Sequence, residues 1–128
     1  MNRYVTVGLS MLAGAALGGA AIQTLHAQAK PHAYVIAEVT IKDQDRYLKE
    51  FAPEVVKAQE ASGGKFLVRG GKTESQLGAS PAPRVIIVEY DSLDKAQAWW
   101  NSQATKHAFA IGKEYGDFRQ FAVEGLAP

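Results

Sequence analysis

The chain has 128 residues, with 14 basic and 13 acidic side chains, 47% hydrophobic and 21% charged residues, and no cysteine. Such a composition argues against a disordered chain, and balanced charge gives no electrostatic footprint for nucleic acid or an anionic membrane. The lack of cysteine excludes disulfides, thiolate catalysis and a lipoprotein acceptor.

The N-terminal stretch differs in kind from the rest. Arg3 is followed by an uncharged run from Val5 to Ile22, and Ala27 and Ala29 occupy the two specificity positions of a small-x-small cleavage site ahead of Lys30-Pro31. This pattern predicts a Sec-type signal peptide over residues 1–29, cleaved after Ala29, and a periplasmic or secreted domain over residues 30–128 with no membrane segment after cleavage. An uncleaved N-terminal membrane anchor is the alternative. The run approaches the roughly 20 residues that span a bilayer, and Gly14 to Gly18 fits the small-xxx-small packing pattern. Removing residues 1–29 removes only Arg3 from the charges, leaving 13 basic against 13 acidic side chains.

Ala33 to Ile41, rich in Val, Ile and Tyr, reads as a strand. Asp43 is placed to cap a helix whose apolar positions Tyr47, Phe51, Val55 and Ala58 recur at helical spacing. Pro53 predicts a kink or two abutting segments, with the proline in the first turn of the second. Gly63-Gly64 supplies a left-handed cap. Lys65 to Arg69 and Arg84 to Tyr90 read as strands of a wide hairpin across the loop Gly70 to Pro83. Ser92 is placed to cap a helix with Leu93, Ala96 and Trp100 on one stripe and Trp99 beside it. A short helix at about Thr105 to Tyr115 and a last strand in Phe118 to Gly125 complete a βαββαβ order. That order predicts an α+β, ferredoxin-like domain, with a four-stranded antiparallel sheet and the helices on one face.

Strand alternation divides the sheet residues into two sets. Val35, Ala37, Val39, Phe66, Val68, Ile86, Val88, Phe121 and Val123 form an apolar set facing the helices. The opposite set mixes Tyr34, Ile36, Leu67, Val85, Ile87, Gln120 and Ala122 with Glu38, Lys65, Arg69, Glu89 and Glu124. It is too apolar for free water and too charged for a dry core, which predicts a homodimer closed sheet to sheet. Pairing Arg69 with Val85 would set Lys65 opposite Glu89 as a cross-strand ion pair.

The segments AYVIAEV, GGKFLVRGG, RVIIVEYDSLDKAQAWWNS and FAVEG together resemble the bacterial domain of unknown function 1330 family, within the dimeric α/β-barrel superfamily. The resemblance covers Ala33 to Gly125. It implies a ferredoxin-like subunit and a dimer whose two sheets form a barrel, and it supplies no reaction. The family pattern continues the SL..A.AW..S block with Ser-Pro-Glu-Tyr-Gln, where this chain has Ser102-Gln103-Ala104-Thr105-Lys106. Superfamily relatives include quinone-forming monooxygenases, lactone isomerases and haem enzymes, which spreads the functional expectation.

Arg69, Gly70 and Gly71 are the most conspicuous candidates. Either the guanidinium holds a ligand carboxylate or enolate while the glycines admit it to the backbone, or Arg69 pairs with Glu89 or an acid of a second copy and the glycines permit the exit turn. A phosphate loop is rejected, because a hairpin and not a helix follows the glycines. Glu38 and Glu89 are either acid–base groups with raised pKa values or structural partners of Lys65 and Arg69. His107 is either an acid–base group or a solvated helix residue. With His32 beside the cleavage site and His26 inside the signal, no metal site is expected, and no cofactor. Trp99 and Trp100 supply core packing and a wall for a flat ligand, and the Gly70 to Pro83 loop is either a lid or a surface excursion. The reading is an exported protein binding a small organic, anionic or aromatic ligand between sheet and helices, or a cofactor-free enzyme acting there. Arg69 orients the ligand, and Glu89 and His107 are further catalytic candidates. The alternative is a non-catalytic dimeric structural or interaction module of the cell envelope.

Overall fold

Strand β1 (Ala33–Ile41) buries Ala33, Val35, Ala37 and Val39 and leaves Tyr34, Ile36 and Glu38 half-buried, the alternation of a sheet covered on one face. The computed structural model describes residues 30–128, of which Pro31–Ala127 form one compact unit. The signal peptide expected over residues 1–29, and the alternative anchor, lie outside the described residues.

After β1 the Asp43 carboxylate accepts the Arg46 N–H at 3.1 Å and opens α1 (Gln44–Arg46). The helix widens to a π-helical turn over Tyr47–Phe51 and continues as α2 (Ala52–Ala61), with Pro53 in the first turn of α2. Pro53 has no N–H for the carbonyl four residues back, that of Lys49, and the ladder widens over the turn that precedes it. The expected interruption is therefore present, as a π turn. It aims Tyr47 and Phe51 at the sheet, both buried, with ring centroids 5.1 Å apart. Gly63, at φ +86°, ends the helix in the left-handed conformation a side chain resists.

Strands β2 (Lys65–Arg69) and β3 (Arg84–Tyr90) flank the Gly70 to Pro83 loop. Helices α3 (Leu93–Asn101) and α4 (Gln103–Gly112) meet at Ser102, and β4 (Gly116–Glu124) closes the fold. The hydroxyl of Ser102 donates to Trp99 O at 2.8 Å and accepts the Thr105 N–H at 3.3 Å. One side chain thus ends α3 and caps α4, which sets the start of α4 ahead of the expected Thr105. The sheet order is β2-β3-β1-β4 with every neighbouring pair antiparallel, the ferredoxin-like arrangement. Between sheet and helices lie the fully buried Val39, Tyr47, Phe51, Val88, Tyr90 and Trp99.

Two face assignments differ from those expected: β2 breaks the alternation, and β4 keeps it in the opposite phase. Phe66 pairs with Val88 but Val68 pairs with Ile87, so a bulge at Leu67 shifts the register. The extra residue turns Val68 to the open face and sets Arg69 opposite Ile86, on the helix side and not opposite Val85. In β4, Phe118 pairs with Val39, Gln120 with Ala37 and Ala122 with Val35, while Phe121 and Val123 pair with Ile36 and Tyr34. Directly opposed residues share a face. Gln120 and Ala122 thus face the helices, and Phe121 and Val123 lie on the open face, 44% and 43% exposed. Both sets in β4 carry apolar residues, and the large Phe118 ring decides between them by filling the core against Phe51 and Phe109, with centroids at 5.2 and 5.3 Å.

Candidate functional site

Between the helical layer and the β2–β3 end of the sheet lies a cavity of about 230 Å³. Its body is apolar, with Tyr47 and Phe51 from the π turn, Phe66 and Ile86 from the sheet, and Phe109 and Phe118 from the far side. Polar groups reach it at few points: Arg69, Arg84, Gln59 and Gln120.

The bulge delivers Arg69 to this cavity, its guanidinium carbon 3.8 Å from the centre of the Phe66 ring in a cation–π contact. Arg84 enters from the first position of β3, on the same side as Ile86 and Val88. Its Nε is buried without a hydrogen-bond partner. Among the described residues neither arginine forms an ion pair with a carboxylate. Two cations thus stand at the edge of an apolar cavity with no protein acid to neutralise them, and guanidinium donors match the geometry of a carboxylate.

Gly70 holds this end together. Its N–H donates to Val85 O at 2.8 Å, its φ is +69°, and a Cβ there would overlap Nη1 of Arg84. A side chain at Gly71 would meet nothing within 4 Å. Gly70 is the glycine the structure needs, for backbone conformation and for the seat of Arg84.

Tyr47 is 1% exposed, and the Arg84 guanidinium carbon lies 5.7 Å from the centre of its ring. Burial raises the pKa of the Tyr47 phenol, and the adjacent Arg84 opposes the rise by charge and by hydrogen bonding. The phenol is therefore held protonated.

The other expected residues lie elsewhere. Trp99 is 1% exposed and packs between Tyr90 and Phe109, with centroids at 6.1 and 6.3 Å. Trp100 is half-buried, its ring against Phe109 and under the Lys106 ammonium at 4.2 Å. Both border a separate hollow of about 210 Å³ near Val35 and Ala122. Phe109 stands between the tryptophans and the arginine cavity, so the expected pairing of Arg69 with a tryptophan wall is replaced by Arg69 with Phe66, Phe109 and Phe118.

Glu89 sits on the open face directly opposite Lys65, as expected, but the side chain its carboxylate meets is His32, Nδ1 to Oε2 at 3.4 Å. Glu38 accepts the Ala82 N–H at 3.0 Å and pairs with Arg119. These contacts, the Ala82 N–H first and Arg119 second, hold its pKa below the usual carboxylate value, the reverse of the rise expected for a base. His107 is exposed on α4.

Sequence reasoning missed Arg84, Gln59, Gln120 and the polar role of Tyr47. Signals for two were present. Stepping back by two from Val88 and Ile86 reaches Arg84, and stepping on by four from Val55 reaches Gln59.

The family model described as a domain of unknown function, DUF1330, matches residues 32–126. No curated protein matches the chain. Among solved structures, a protein of unknown function from Rhodopseudomonas palustris superposes with a TM-score of 0.60 at 15% identity, covering 84% of this chain and 93% of its own. A conserved protein of unknown function from Bacteroides thetaiotaomicron gives 0.51 at 14% identity over 76% and 100% of the two chains. An "ethyl tert-butyl ether d (ethd)" family protein from Bacillus halodurans gives 0.51 at 15% identity over 75% and 99%. At these identities the likeness concerns the fold.

Proposed function

Because the chain belongs to the DUF1330 family, whose description assigns no reaction, we propose its function from the cavity itself: the protein binds a small organic anion with an apolar, ring-bearing body. The observation that carries the proposal is the pair Arg69 and Arg84, both lining the cavity and neither in an ion pair with a carboxylate among the described residues. The anionic group sits at the guanidiniums and the ring fills the space between Phe66, Phe109 and Phe118. A cavity of about 230 Å³ suits a one-ring acid, being smaller than the roughly 300–1,000 Å³ typical of sites for drug-sized ligands.

The test is thermal unfolding of the protein with one-ring carboxylic acids and with the matching neutral amides. Binding to the native state raises the melting temperature, so the acids should raise it and the amides should not. The rise should disappear in Arg69→Ala and Arg84→Ala. Equal shifts for acids and amides, or full shifts in both variants, would refute the proposal.

The protein acts as an exported homodimer in this reading. The open sheet face carries Leu67, Phe121 and Val123 at 47%, 44% and 43% exposure beside the half-buried Ile36, Val85 and Ile87, and a second copy of the same sheet covers it. Export is tested by the mass of the cell-envelope form, which should lack residues 1–29. The same apolar face favours the second reading, a dimeric module that engages an envelope partner without catalysis. That reading gains if no acid binds and a stable complex is recovered.

A further inference from the structure

Resting on the anion-site reading, we propose that the ligand carries a second acceptor oxygen beside its carboxylate, as an aryl 2-oxo acid does, and that Tyr47 is the specificity-determining donor to that oxygen. The argument follows the proton of the Tyr47 hydroxyl. A guanidinium has donors only and no acceptor. Arg84 and Tyr47 line the same cavity, the guanidinium carbon 5.7 Å from the centre of the Tyr47 ring, and toward the phenol oxygen Arg84 can only donate. The phenol's own proton is left to point elsewhere, and the Tyr47 hydroxyl donates no hydrogen bond to any described residue. Burial keeps this phenol protonated, so the donor is present throughout the neutral pH range.

The π turn is what brings this donor to the cavity. Tyr47 and Phe51 enter the sheet–helix layer side by side, and Phe51 is seated against Gly112, where a Cβ would overlap its ring. Arg84 is in turn seated against Gly70. The phenol and the guanidinium are thus both fixed, and the group that meets them must accept from each. A carboxylate alone satisfies the two arginines. A carbonyl oxygen on the adjacent carbon supplies the acceptor that the Tyr47 proton lacks.

Benzoylformate and phenylacetate test this directly, because they differ by a carbonyl in place of a methylene next to the carboxylate. Calorimetric titration of the wild-type protein should give benzoylformate an advantage of about tenfold in affinity, the usual worth of one buried hydrogen bond. In Tyr47→Phe the advantage should vanish, the ratio of the two affinities falling to about one whatever the affinity for phenylacetate itself becomes. Equal binding of the two acids by the wild type, or an advantage unchanged in Tyr47→Phe, overturns the role of Tyr47 and leaves the anion site standing. Binding of neither acid overturns both. The comparison of two ligands within the wild-type protein does not depend on the variant folding.

Discussion

Replacing Gly70 by alanine should separate the structural use of the Arg-Gly-Gly corner from its use in binding. Gly70 sits at φ +69°, and a Cβ there overlaps Nη1 of Arg84 and reaches its Cζ. The left-handed conformation costs an ordinary residue about 1–2 kcal/mol. Reduced freedom of the unfolded chain returns about 0.4–1 kcal/mol. The net loss is about 1 kcal/mol, which for a domain of this size lowers the melting temperature by roughly 4–8 °C. Arg84 can yield, because the overlapped atoms belong to the end of a long side chain, but it then leaves its seat beside Tyr47. Acid binding should therefore fall more than the loss of stability alone implies. Gly71→Ala is the matched control: its φ is not positive and its Cβ meets nothing within 4 Å, so its melting temperature and acid affinity should stay near wild type. Thermal unfolding with and without a one-ring acid reads both effects. A Gly70→Ala protein that melts and binds like wild type, or a Gly71→Ala protein that suffers equally, would refute the reasoning.

Gly112→Ala drives a methyl into the Phe51 ring; overpacking of this kind costs about 1–3 kcal/mol, to be read from the denaturant midpoint. Gln59→Glu places a carboxylate inside the cavity with Arg69 and Arg84, and titration should show acid binding weakened at least tenfold because the protein supplies its own anion. Glu38 has its pKa lowered from 4.5 in the folded state, so its contribution is full above the unfolded value and is lost as pH falls through the folded one. Wild type should therefore lose more stability than Glu38→Gln between pH 6 and pH 3, checked by parallel melts. Phe121→Asp puts a charge on the open sheet face, and if that face forms the proposed homodimer, light scattering after size exclusion should show a dimer for the wild type and a monomer for the variant.

The regular parts of the fold were legible because each has a local chemical cause. The bounds of β1, β2 and β3 follow from β-branched and aromatic runs ended by Asp, Gly and Pro. Caps at Asp43 and Ser92 sit where a short oxygen can reach an orphan N–H. The face of β4 was not legible, since Phe121-Val123 and Phe118-Ala122 are both apolar pairs at period two. Only the size of the space beside Phe51 and Phe109 selects Phe118 for the core. The position of Arg69 was legible as a candidate and not as a place. Alternation sets it on the open face with Lys65, and the bulge at Leu67 carries it to the other.

The candidate site is made from the two irregularities of the domain. A π turn and a β-bulge each add one residue to a regular ladder, and each moves the side chains beyond it to a new face. The first brings Tyr47 and Phe51 to the cavity together, and the second brings Arg69 there beside Phe66. Neither insertion improves the ladder it interrupts, and the residues they deliver include a cation with no protein acid to neutralise it. A sheet without the bulge would turn Arg69 to the open face, and a helix without the π turn would bring Tyr47 and Phe51 to the sheet in a different relation. Both departures from regularity act on the same cavity, and in the function proposed above an anionic ligand supplies the counter-ion missing there. Binding should accordingly depend on these two irregular turns more than on the exposed loop from Gly71 to Pro83, and changes in that loop should leave the affinity for small acids close to its original value.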